Sequence, residues 1–309
     1  MLIWLKLIRW PNLLMILIFQ LSCFYFIIYP SIYSQISNFN IWFNQIILSC
    51  FCVMAAAAGY VINDIFDERL DWANREADQL IVGKKLNISK VKQVYVFFTV
   101  LGFILAIMLS INLDIIWIFG ICPIIYILLY FYSSHLKCTI LLGNVLVSML
   151  TGLVMILPYY LNSIWLIQLD AVENSITSNI KQTFIALSIF AFLVNLIREI
   201  VKDQEDRMGD ALCGCKTTAV GLGKNKTRIL LIALLVMTFL IQIIFIYLDS
   251  SFHVWTWILC IAIPWLFNII YFIKSNQQFF YRNLSLLLKI EMFLGLFYYI
   301  YRHYANNSY

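Results

Sequence analysis

Apolar residues run along this chain in blocks of about twenty, and polar residues gather at the breaks between them. About 20 residues of helix span about 30 Å of hydrocarbon. By that rule nine blocks can cross a bilayer, near 10–30, 44–64, 93–112, 114–132, 140–161, 182–201, 229–249, 253–273 and 285–304. Only Asn112, Leu113 and Asp114 divide the third block from the fourth. The pattern predicts an all-α, polytopic membrane protein whose nine helices bundle around a central cavity.

The breaks after the second and sixth blocks differ from the others. One reads Asn63-Asp64-Ile65-Phe66-Asp67-Glu68-Arg69-Leu70-Asp71, the other Lys202-Asp203-Gln204-Glu205-Asp206-Arg207-Met208-Gly209-Asp210. With their flanking loops they hold eleven of the sixteen carboxylates in the chain. Four crossings separate them, so both lie on one side of the membrane. A helix pair, an acidic break and a second helix pair, then the same again, read as two four-helix pseudo-repeats. Residues 1–309 are expected to form a single domain, with 65–92 and 202–228 as polar cap loops.

Composition sharpens the class. The chain is 63% apolar and 12% charged, against about 25% charged in soluble domains. The N-terminal apolar run exceeds a signal-peptide core and lacks a small-x-small cleavage site, so it reads as a retained helix. Lys6, Arg9, the basic residues from Arg69 to Lys92, Lys137, those from Arg198 to Arg228, Lys274 and Arg282 fall on one side, leaving Lys181, Lys289 and Arg302 toward the other. This bias predicts a cytoplasmic N-terminus and cytoplasmic acidic breaks in a cell inner or plasma membrane. The net charge of +5 then describes loops near anionic lipid and an anionic substrate, and calls for no nucleic acid. For Arg9 the reading is a membrane-interface anchor. The eight cysteines contain no CxxC pair and are read as structural thiols rather than a zinc site.

Asn63, Asp67 and Asp71 step by four and share one helical stripe. Glu199, Asp203, Asp206 and Asp210 step by four, three and four. Like charges at such spacing, about 6 Å apart, repel by roughly 3 kcal/mol at an effective dielectric near 20. A bound cation relieves that repulsion. Hard oxygen donors without His or Cys favour Mg²⁺, which takes one or two carboxylates and completes its shell with water and phosphate. A solvated charged loop and a divalent-cation transporter are the competing readings. Transport sites usually sit near the bilayer midplane, whereas these acids stand at helix ends.

These residues resemble the UbiA-type intramembrane prenyltransferases. Asn63, Asp64, Asp67 and Asp71 match the family's N-D-x-x-D-x-x-x-D, and Asp206 with Asp210 match its D-x-x-x-D. Lys216-Thr217-Thr218-Ala219 matches K-[ST]-T-A, and Tyr132-Ser133-Ser134-His135-Leu136-Lys137 matches Y-S-x-x-L-K. The resemblance implies Mg²⁺ held by Asn63, Asp67, Asp71, Asp203, Asp206 and Asp210. It also implies catalytic roles for Asp67, Asp71, Asp206 and Asp210, and substrate contacts from Asn63, Lys137, Arg198 and Lys202. The longer string from Arg198 to Asp210, with Leu80-Ile81-Val82-Gly83-Lys84, resembles the geranylgeranylglyceryl phosphate geranylgeranyltransferase branch. It implies an isoprenyl diphosphate donor and a lipophilic acceptor hydroxyl on a prenylglyceryl phosphate, in contact with membrane lipid, and it implies no protein partner. An aromatic acceptor of quinone biosynthesis, 4-hydroxybenzoate or a naphthoate, is the alternative. One departure stands out. Arg75-Glu76-Ala77-Asp78-Gln79 occupies the place where the family commonly has a Pro and a base, leaving Arg75, Lys84 and Lys85 as candidate replacements.

Overall fold

In a computed structural model, the described residues are 2–32, 38–74, 80–170, 174–247, 253–274 and 278–307. Among them the regular structure is helical: α1 (Leu2–Leu7), α2 (Trp10–Cys23), α3 (Tyr29–Ile32), α4 (Asn38–Phe66), α5 (Glu68–Asn74), α6 (Ile88–Leu113), α7 (Ile116–Ser134), α8 (Leu142–Asp170), α9 (Asn174–Leu212), α10 (Thr218–Tyr247), α11 (Val254–Trp257), α12 (Ile263–Lys274) and α13 (Gln278–Asn307). Wider π-helical turns, Phe24–Ile28 and Ile258–Ala262, join α2 to α3 and α11 to α12.

Eight helical stretches among the described residues are long and apolar enough to cross a membrane. The ninth expected span is the shorter apolar stretch Ile118–Ser134 within α7. Its separation from α6 falls where the polar break predicts. Asp114 takes the left-handed conformation at φ 55°, and its amide closes the helix onto the carbonyls of Ile111 and Ser110.

The 202–228 stretch departs from expectation. It is not a cap loop: α9 runs without interruption to Leu212 and α10 begins at Thr218. Helix α9 has 39 residues, about 58 Å at 1.5 Å per residue, nearly twice the hydrocarbon thickness. The second acidic cluster therefore rides on a helical extension. Gly214, at φ +75°, ends it in a Schellman turn: the Cys215 amide donates to the Asp210 carbonyl at 2.9 Å and the Gly214 amide to Ala211 at 3.1 Å.

The chain divides into two compact units. The first comprises Met1–Leu21, Gln35–Thr139 and Gly209–Cys215; the second comprises Ser22–Ser34, Ile140–Met208 and Lys216–Tyr309.

In the first unit α4 is the central element, packed by α1, α6 and α7. A buried cluster of Leu7, Val61, Val82 and Val91, flanked by Trp4, Ile65 and Phe98, fills the space among α1, the end of α4, the 80–86 loop and the start of α6. Polar side chains bind the apolar spans together. Ser49 Oγ donates to Gln20 Oε1 at 3.3 Å, and Gln45 Nε2 donates to Ser49 Oγ at 3.3 Å. In hydrocarbon such bonds and close backbone approach replace the hydrophobic drive between helices. Gly102 provides that approach, since a Cβ there would lie 1.8 Å from the Tyr126 hydroxyl. The outer face of α6, with Phe97, Val100, Ile104 and Ile111 exposed, suits lipid.

The second unit uses the same devices. Ser188 Oγ donates to the Gly152 carbonyl at 2.8 Å, joining α8 to α9. Trp265 Nε1 donates to the Leu235 carbonyl at 2.9 Å, joining α12 to α10.

Candidate functional site

The first acidic motif lies where two successive helices keep one backbone hydrogen-bond spacing. Helix α4 ends at Phe66, yet the Asp67 amide donates to the Asn63 carbonyl and the Asp71 amide to the Asp67 carbonyl, each at 2.8 Å. The four-residue stripe is thereby carried across the joint into α5. Asn63, Asp64 and Asp67 are buried and Asp71 is half-buried.

Burying carboxylates requires counter-charge or donors, and both are present in the first unit. Asn63 Nδ2 donates to Asp67 Oδ2 at 2.5 Å, and the Lys137 ammonium pairs with the same oxygen. Lys137 arrives on the short 3₁₀ turn Leu136–Cys138 that follows α7. Asp64 receives Arg9, whose Nη2 donates to Oδ1 at 2.8 Å, and the guanidinium lies 4.8 Å from the centroid of Tyr60.

Arg9, expected at the membrane interface, thus also pairs with a carboxylate of the first motif. It stands at the break between α1 and α2 with φ 51°, a conformation costing a non-glycine residue about 1 kcal/mol or more. The ion pair and the ring contact hold it there. Pro11 follows in the first turn of α2, where its missing N–H costs nothing. Replacing Arg9 by glutamine should destabilise the protein by about 2 kcal/mol, because Asp64 is left buried without its partner. Arg9→Gln with Asp64→Asn should recover most of that loss. Denaturation midpoints of the two variants check both statements.

The structure also corrects the cysteine reading. Cys138, next to Lys137, is disulfide-bonded to Cys215, five residues after Asp210. The Cys213 thiol donates to the Arg69 carbonyl of α5 at 3.7 Å. The first unit therefore contains the end of the second motif, including buried Asp210, as well as the whole of the first.

In the second unit one oxygen of Asp203 is taken up by the fold. Its Oδ2 accepts from Asn144 Nδ2 at 3.0 Å and from the Thr218 amide at 3.3 Å, while Thr218 Oγ1 donates to Asn144 Oδ1 at 2.7 Å. This cluster pins the start of α10 to the start of α8 and gives the Lys216-Thr217-Thr218-Ala219 segment a structural task. Arg198 is buried, with Nη1 donating to Asn195 at 3.0 Å and Nε to Ser285 of α13 at 3.3 Å. Lys202 is half-buried and pairs with Glu199 at 2.6 Å. Asp206 is exposed. Lys84 and Lys85 are exposed as well, whereas Arg75 and its successors to Gln79 lie outside the described residues.

Among the described residues no three Asp, Glu, His or Cys side chains converge closely enough to form a complete metal site. A different observation fits a hard divalent ion. Asn63 Oδ1 is buried and has no hydrogen-bond partner. Beside it lies the Asp67 carboxylate, its charge met by a lysine. A buried neutral oxygen without a partner next to a carboxylate fits the partial donor set that Mg²⁺ completes with water and phosphate.

The profile of the UbiA prenyltransferase family matches residues 31–279 of this chain. Digeranylgeranylglyceryl phosphate synthase of Saccharolobus solfataricus is 33% identical over 201 residues, covering 62% of this chain and 64% of that relative. The chain thus spans less than two thirds of that relative's length. The synthase of Korarchaeum cryptofilum is 28% identical over 271 residues, covering 84% of this chain and 86% of the relative. A solved structure concerning a digeranylgeranylglyceryl phosphate synthase in membranes superposes with a TM-score of 0.62 at 23% identity, over 97% of each chain. A UbiA homolog from Archaeoglobus fulgidus bound to GPP and Mg²⁺ superposes with a TM-score of 0.54 at 15% identity, over 97% of this chain and 99% of the other. Both structural likenesses concern the fold.

Proposed function

The chain belongs to the UbiA prenyltransferase family, and on that premise we propose that it is a magnesium-dependent membrane enzyme. It transfers a prenyl group, geranylgeranyl in this reading, from its diphosphate to the hydroxyl of a prenylglyceryl phosphate. The observation that carries the proposal is the buried Asn63–Asp67 pair with its orphaned amide oxygen and its attendant Lys137. The relatives named above support the acceptor, and the Archaeoglobus structure supports the diphosphate and its metal.

Bound magnesium would neutralise the charge that grows on pyrophosphate as the allylic C–O bond breaks. Asn63, Asp67, Asp71 and Asp210 would hold it, with Asp206 as a further carboxylate from the second motif. Lys137 would exchange its carboxylate partner for a phosphate oxygen, a role its ion pair with Asp67 supports. Arg198 and Lys202 are assigned to the phosphates by residue type and by the motif that contains them. Asp203 supports that motif through Asn144 and Thr218. The lysine and arginine distribution supports a cytoplasmic N-terminus and cytoplasmic acidic motifs.

The test incubates the purified protein with geranylgeranyl diphosphate, Mg²⁺ and competing acceptors, then identifies products by mass. Ether formation on geranylgeranylglyceryl phosphate, abolished by chelation of the metal, is expected. Prenylation of 4-hydroxybenzoate alone would replace the acceptor. Metal flux into proteoliposomes without pyrophosphate release would replace the enzyme by a carrier.

A further inference from the structure

The disulfide joins the turn that carries Lys137 to the turn that closes on Asp210. On one side Cys138 ends the short turn that delivers Lys137 to Asp67. On the other, Cys215 is the closing residue of the Schellman turn, and its amide grips the carbonyl of Asp210 at 2.9 Å. One covalent link therefore connects Asp67, through Lys137 and Cys138, to Cys215 and Asp210. The sequence separation it spans is 77 residues, so no local structure substitutes for it. The hydrogen bond from Cys213 to Arg69 adds a second, weaker hold of the same turn on the first motif.

We propose that Cys138 and Cys215 are positioning residues for diphosphate binding, and that their reduction loosens the enzyme's grip on the diphosphate. The proposal rests on the function argued above. With the link intact, the Lys137 turn and the Asp210 turn move as one body, and cation and carboxylate are preorganised for a magnesium diphosphate. With the link cut, the Lys137 turn keeps its ion pair and the Asp210 turn its hydrogen bonds, but nothing covalent ties the two together, and binding must order them. A dithiol reductant supplies two electrons and two protons: the protein disulfide becomes two thiols and the reductant becomes a cyclic disulfide. On the proposed orientation the pair faces the cytoplasm, where thiol pools act on disulfides. Diphosphate affinity would then follow the redox state of that pool.

The experiment uses the full chain in detergent, purified without reductant. Alkylation followed by peptide mass analysis should find Cys138 linked to Cys215, and dithiothreitol should expose both thiols. Binding of inorganic pyrophosphate with Mg²⁺, measured by calorimetry, should weaken about tenfold on reduction and recover on reoxidation. Under turnover, the KM for prenyl diphosphate should rise by the same factor while the KM for the acceptor stays put. A general loss of structure would move both. Cys138→Ser/Cys215→Ser should show the reduced protein's affinities and ignore dithiothreitol. Equal pyrophosphate affinity in the oxidised and reduced proteins overturns the proposal, as does the absence of the linked peptide. Pyrophosphate binding needs no turnover. An oxidised protein that binds it in a redox-dependent way yet transfers no prenyl group would therefore overturn the function and leave the positioning role intact.

Discussion

Asp67→Asn should lower kcat/KM for prenyl transfer by about a thousandfold and leave the fold in place. Asp67 is where the site's charges meet: its carboxylate takes the amide of Asn63 and the ammonium of Lys137. Its neighbour Asn63 Oδ1 is buried without a hydrogen-bond partner. Asparagine keeps the size and one acceptor oxygen, so the bonds from Asn63 and Lys137 can persist. What disappears is the full negative charge that would hold magnesium against a departing pyrophosphate. Removing a single electrostatic stabiliser from a water-poor site typically costs a factor of about 10² to 10³, and the loss of a metal ligand belongs at the upper end. Lys137 is left without its counter-ion, but its side chain is 27% exposed and can turn toward water, so the thermal midpoint should shift little. Asp64→Asn should behave differently, because Asp64 is committed to Arg9 and its loss touches stability more than turnover. Rates at saturating Mg²⁺, read beside thermal midpoints, check the pair. Normal turnover in a well-folded Asp67→Asn protein would take the metal away from this residue and with it the proposed chemistry.

How much of this could be read in advance depended on whether the cause was local. The membrane spans were legible because hydrocarbon demands about 20 predominantly apolar residues in each helix that crosses it. The first motif was legible for a related reason: Asn63, Asp67 and Asp71 keep helical spacing, and the backbone bonds at 2.8 Å continue that spacing through the joint after Phe66. The second cluster's spacing was helical too, but the stretch 202–228 around it reads as a loop because hydropathy treats charge as exposure. Its Lys, Gln, Glu, Arg and Met are strong helix formers, and α9 simply outruns the bilayer. Asp203 shared a stripe with Asp206 and Asp210, but spacing could not reveal that Asn144 and Thr218 were already at its oxygen. The pairs that complete the site were hidden by distance along the chain. Arg9 and Asp64 are 55 residues apart, Lys137 and Asp67 are 70 apart, and the two cysteines 77. Local periodicity is silent on such contacts. For the cysteines one cue existed: each follows a residue of a charged motif on the same side of the membrane.

Lys137→Gln should push two affinities in opposite directions, and this separates a working cation from a merely structural one. Lys137 neutralises Asp67, so an incoming divalent ion must share or displace it. Removing the ammonium should therefore strengthen Mg²⁺ binding in the absence of diphosphate. Once the metal is in place, the same ammonium is free to meet a phosphate oxygen, and its loss should weaken pyrophosphate binding at saturating Mg²⁺. A point charge about 4 Å away at an effective dielectric near 20 is worth about 4 kcal/mol at most. Partial exposure of the lysine discounts that to about 1 kcal/mol, or about fivefold in each constant. Calorimetric titrations of Mg²⁺ alone, and of pyrophosphate with Mg²⁺ saturating, measure the two terms separately. If both constants fell together, Lys137 would be holding the turn rather than the ligand. If neither moved, Asp67 would not be the residue at which metal and lysine exchange places, and the arrangement around Asn63 would need another explanation.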